Sequence, residues 1–107
     1  MHQYLPAPSG PPQSFRVVAL GSTSIRLTWS APLVEEQNGV ITSYRVTITE
    51  VESGERVLER TAAASDTLLI VNSLDPHFTY RCSIAAVTVA IGPETSAQVT
   101  TLQEGNP

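Results

Sequence analysis

The chain has one cysteine, one tryptophan and no lysine, and only 6% of its 107 residues are aromatic. A single cysteine excludes an internal disulfide and a metal cage built on cysteines. Six arginines stand against ten carboxylates, giving a formal net charge of -4. That balance argues against a nucleic-acid groove or a polybasic membrane patch. No apolar run approaches the ~18 residues needed to span a bilayer. The opening residues, Met1 to Pro6, show neither the basic patch nor the apolar run of a signal peptide. The chain is therefore expected to be soluble as it stands, although a fragment would have lost its targeting signals.

What is present points to strands. Valine and isoleucine supply 17 residues and threonine another 12. Side chains so stiff at χ1 favour a pleated surface over a helix. The length suits one domain, which typically holds roughly 100–150 residues. Both ends read as linkers. Pro6 to Pro12 packs four prolines and a glycine into seven residues, a semi-rigid extended stretch with nothing to bury. The tail, residues 103–107, is polar and ends on proline. The expected division is 1–13 as proline-rich head, 14–102 as folded unit and 103–107 as tail.

Within that unit, short alternating segments are separated by turn residues. Phe15, Val17 and Ala19 form one inward-facing set, and Ile25, Leu27 and Trp29 the next. Tyr44, Val46 and Ile48 follow, then an apolar run from Thr67 to Val71, then Tyr80, Cys82, Ile84 and Ala86. A last segment surrounds Val99. Period-two alternation marks strands with one face on a core. Gly21, Pro32, Asn38-Gly39, Gly54, Asp75-Pro76 and Gly92-Pro93 supply the turns. The run Val57–Ala64 is the one rival for a helix; its bracketing Val and Thr make it a short strand entering a loop. About seven short strands in this length predict an all-β sandwich.

Laid end to end, these segments resemble a fibronectin type III domain. The resemblance rests on Pro11-Pro12, on Ile25-x-Leu27-x-Trp29-x-x-Pro32 and on Asn38-Gly39-x-Ile41-x-x-Tyr44-x-Val46. Leu74-x-Pro76-x-x-x-Tyr80-x-x-x-Ile84-x-Ala86 and Gly92 complete it. It implies a seven-stranded immunoglobulin-like sandwich of two antiparallel sheets without a disulfide. Leu74, Pro76 and Tyr80 look like a tyrosine corner, where the phenol ties back to upstream backbone. An immunoglobulin domain is the competing reading, since Tyr80-x-Cys82 imitates its second cysteine. The partner cysteine is missing, with Leu27 and Trp29 in that region instead.

Catalytic material is scarce. His2 lies in the head, and His77 follows Pro76 in a turn where Asp75 more naturally serves turn formation. Glu35-Glu36 lacks the further oxygen ligands a calcium ion requires. Cys82 falls on inward parity and reads as a small hydrophobe. The six arginines are scattered, so they make an anion patch only if the fold gathers them. No Asn-x-Ser/Thr sequon occurs. The expectation is a non-enzyme with no cofactor and no metal. Val89 and Ile91, apolar within Thr88 to Glu94, are the candidate binding residues; that stretch lacks the Arg-Gly-Asp motif some members of the resembled family carry there.

The resemblance implies a protein-interaction or spacer module from the ectodomain of a multidomain cell-surface receptor or adhesion protein. Neural adhesion molecules and receptor-type tyrosine phosphatases have tandem arrays with similar proline-rich joints. Neighbouring fibronectin type III or immunoglobulin domains are the expected partners in the parent chain. Nucleic acid and direct membrane contact are not expected, and the isolated chain is expected to be monomeric. The alternatives are a cytoplasmic structural module of a sarcomeric-type scaffold and a spacer in a secreted carbohydrate-active enzyme.

Overall fold

Alternation decides which face of each strand is dry. In a computed structural model that describes residues 7–104, the strands are β1 (Gln13–Ala19), β2 (Ile25–Ser30), β3 (Ser43–Glu50), β4 (Arg56–Ala63), β5 (Leu68–Val71), β6 (Thr79–Val87) and β7 (Ile91–Thr100). The expectations for Met1 to Pro6, His2 included, and for residues 105–107 lie outside the described residues. Two antiparallel sheets face each other, one ordered β1-β2-β5 and the other β4-β3-β6-β7. This is the seven-stranded sandwich that the spacing predicts.

The register aligns the apolar rows. Val17, Leu27 and Leu69 sit opposite one another in the smaller sheet, as do Ala19, Ile25 and Val71. In the larger sheet Leu58, Ile48, Cys82 and Ala97 form one row, and Arg60, Val46, Ile84 and Thr95 the next. Ile25, Leu27, Val46, Ile48, Cys82, Ile84 and Ala86 are all fully enclosed. Trp29 plugs one end of the gap with its ring 5.6 Å from that of Tyr44, within the range of favourable tilted aromatic pairs. Arg60 has the inward parity of edge strand β4 yet stays exposed. A charge so placed blocks pairing of that edge with another chain.

Tyr80 forms the expected corner. The Asp75 amide donates to its hydroxyl oxygen at 3.0 Å. Thr101 extends the same knot, donating to the Asp75 carbonyl at 2.6 Å and accepting from the Phe78 amide at 3.0 Å. Tyr80 stacks on Phe78 with centroids 6.3 Å apart and belongs to the same core as Trp29 and Tyr44.

Two features depart from the sequence reading. A single helical turn, α1 (Val34–Gln37), lies between β2 and β3. It is too short to leave a periodic signal, and Asn38 ends it in the left-handed region at φ 56°, followed by Gly39 at φ 141°. The second is a correction. The proline-rich head does bury surface over its described part: Pro8, Gly10 and Pro12 are buried. Proline has no amide N–H to satisfy, so it can be enclosed at the cost of its carbonyl alone. The Ser9 amide donates to the Glu36 carbonyl at 2.8 Å, and the Asn38 side chain donates to the Ala7 carbonyl at 3.1 Å. Gly92 admits this strap: a Cβ there would lie 2.7 Å from Pro8 Cβ, closer than real carbons approach.

Gly92→Ala is therefore expected to lift the strap, seen as faster hydrogen exchange at the Ser9 amide with the β2 and β3 amides unchanged. Tyr80→Phe is expected to cost about 1 kcal/mol in urea denaturation through the lost corner bond.

Candidate functional site

Antiparallel order sends alternate loops to opposite ends. The strap, the β2–β3 connection with α1, the β4–β5 turn and the β6–β7 turn gather at the pole where β1 begins. There the Thr42 hydroxyl donates to the Val87 and Thr88 carbonyls at 3.2 and 3.3 Å, joining two of those loops. Gly39 lies beside Thr88, with 3.7 Å between its virtual Cβ and Thr88 Cβ. The opposite pole holds the turns after β1, β3 and β5. It is tied by the Leu74 amide to Thr23, Val51 to Thr79 and Leu102 to Gly21 carbonyls.

Val89 and Ile91 are both on the first pole and both in solvent, Val89 at 66% and Ile91 at 43% exposure. They do not fold back onto the sandwich. The loop is shorter than Thr88 to Glu94, because the Thr88 amide donates to the Ala90 carbonyl at 3.1 Å and Ile91 already pairs with Val87 in β7. The structure adds three residues that the sequence reading did not single out. Val34 and Val40 are 82% exposed, and Leu33 is also exposed, all on the neighbouring β2–β3 connection. Their signal was available: apolar residues flanking the polar turn Asn38-Gly39 have no strand parity to bury them. Thr88 Oγ1 is buried at this pole without a hydrogen-bond partner among the described residues.

The titratable candidates sit elsewhere. His77 is exposed in the β5–β6 turn at φ 56°, at the opposite pole, and its amide donates to the Leu102 carbonyl. Asp75 contributes backbone groups to the Tyr80 corner. Glu35 and Glu36 lie in α1, and no group of three or more His, Cys, Asp or Glu among the described residues is arranged to hold a metal. Cys82 is fully enclosed, and burial pushes its thiol from 9.0 up to about 12. Burial likewise raises the phenol of Tyr44. It also raises that of Tyr80, where the Asp75 amide bond works the other way and the charges of Asp75 and Glu50 add to the rise.

The sequence profile described as "Fibronectin type III domain" matches residues 10–102. The chain belongs to the fibronectin type III family. It is 34% identical over 85 residues to receptor-type tyrosine-protein phosphatase F of Bos taurus, a match covering 76% of this chain and 4% of that protein. Similarity to cell adhesion molecule DSCAM of Gallus gallus runs at 31% identity over 106 residues, covering 94% of this chain and 5% of that protein. This fibronectin type III chain thus spans only a small part of the curated relatives it matches. Among solved structures, the third fibronectin III domain of human KIAA0343 protein overlays with a TM-score of 0.85 at 20% identity, covering 100% of this chain and 93% of that one. That likeness shows the fold.

Cys82 is expected to resist a thiol reagent in the native protein and to react fully once urea unfolds it. Its folded state keeps the proton that the unfolded chain releases near pH 9. Stability should accordingly fall as pH rises from 9 towards about 12, and the Cys82→Ala variant should lack that part of the slope. Rapid labelling of the native protein would contradict the register of β6.

Proposed function

We propose that this chain is a non-catalytic protein-interaction and spacer module in the extracellular part of a multidomain cell-surface receptor or adhesion protein. Residues 14–102 form the sandwich, and 1–13 and 103–107 connect it to neighbouring fibronectin type III or immunoglobulin domains. The relatives support this reading by their names, one a receptor-type phosphatase and one a cell adhesion molecule. Any catalytic domain belongs to another part of the parent chain. The packed strap suits a spacer, since a held linker transmits orientation where a loose one would not.

The observation that carries the interaction half is the pole itself. Val34, Val40, Val89 and Ile91 expose apolar side chains on two loops joined by Thr42. Exposed apolar side chains that share one end of a domain favour protein contact. Loops on a rigid scaffold are where such contacts are usually built.

A cell-binding assay with the paired substitutions Val89→Ser and Ile91→Ser tests it, with circular dichroism to verify folding. Binding about tenfold weaker is expected, because one buried apolar anchor contributes about 1–2 kcal/mol. Unchanged binding by the folded variant would remove these two residues from the contact. No binding by the parent chain would leave the spacer role alone.

A further inference from the structure

Two of the scattered arginines are gathered by the fold on the outer face of the smaller sheet. Paired residues in an antiparallel sheet point to the same side, so the outer surface of β1-β2-β5 can be read from its register. Val18, Arg26 and Ile70 form one row across it, and Arg16, Thr28 and Leu68 the adjacent row. Arg16 and Arg26 are therefore diagonal neighbours, with backbones roughly 7–8 Å apart. Around them Val18 is 41% exposed, Leu68 48% and Ile70 46%. None of these three strands contains an aspartate or a glutamate. In a chain of net charge -4, this is a largely apolar face whose strands carry only positive charge.

The complementary surface is on the same chain. The β3–β4 hairpin, over residues 50–60, carries Glu50, Glu52, Glu55 and Glu59 against Arg56 and Arg60. Val51 and Val57 are 40% and 44% exposed among them. The Arg56–Glu59 pair, at 3.8 Å and open to solvent, leaves the other carboxylates unpaired within the hairpin. Face and hairpin are separate surfaces of one sandwich, so the hairpin that meets the face belongs to another molecule. Face against face would set arginines opposite arginines, which charge forbids.

We propose that the outer face of β1-β2-β5 docks the acidic β3–β4 hairpin of a second copy of this chain, in a heterologous contact. Such a contact repeats from copy to copy and does not close on itself. Its charge pairs are open to solvent, so it is weak in dilute solution. It gains occupancy when copies are held at high local concentration, as on a crowded surface.

Sedimentation velocity on the full chain, from micromolar to millimolar concentration and at low and high salt, tests the contact. Concentration-dependent association that weakens with salt is expected. The double variant R16E/R26E and the double variant E52R/E55R should each associate about tenfold more weakly or not at all. Mixed together they should associate again, since the reversed face of one now fits the reversed hairpin of the other. That recovery cannot arise from misfolded variants. A parent chain that stays monomeric at millimolar concentration overturns the proposal and leaves a different acidic protein as the occupant of the face. Self-association of R16E/R26E at the parent's strength, or a mixture no stronger than either variant, also overturns it.

Discussion

No disulfide joins the two sheets, so the sandwich depends on the apolar side chains that β2, β3 and β6 drive into the gap between them. Strand parity governs that gap. A slip of one residue in β2 would expose Leu27 and Trp29 and bury Arg26 and Thr28, an exchange of buried apolar surface for unpaired polar groups. Leu27, Val46 and Ile84 are completely enclosed, and each contributes about 1.5–3 kcal/mol by leaving water. Cys82 occupies the same layer as one more small apolar group. Its raised thiol pKa is a consequence of that enclosure.

Once parity has claimed the inward positions, contact surfaces are left to the outer faces and the poles. Val34, Val40 and Val89 stand where the chain turns and no second sheet can cover them. Val18, Leu68 and Ile70 point away from the core because their strand neighbours point into it. The same rule that builds the core therefore sets which apolar residues remain for another protein. The strap over Gly92 adds direction, since it fixes the path of the backbone from Ala7 to the start of β1.

The strands were legible because period two is a strong signal over Ile25–Ser30, Ser43–Glu50 and Thr79–Val87. The Tyr80 corner was legible because its residues sit at fixed separations in one turn. The strap was not, because its partners Glu36 and Gly92 are distant in sequence and proline-rich composition resembles a bare linker. Helix α1 escaped because four residues show no period. The β5 run from Leu68 to Val71 looked uniformly apolar, yet Leu68 and Ile70 face solvent while Val71 faces the core. Only the register with β2 separates those two faces. At the candidate site, Val89 and Ile91 were visible as apolar residues near a turn. Their grouping with Val34 and Val40 required the fold that brings two loops together.

Native-state hydrogen exchange along the whole chain tests most directly the claim that a parity-built core carries surfaces it does not itself need. The slowest amides should be those of Leu27, Val46 and Cys82, opening only with global unfolding. Residues 88–90 and 33–40 should exchange through local openings of much lower free energy. Exchange at the β6–β7 turn as slow as in β3, or early opening of β2, would contradict the account.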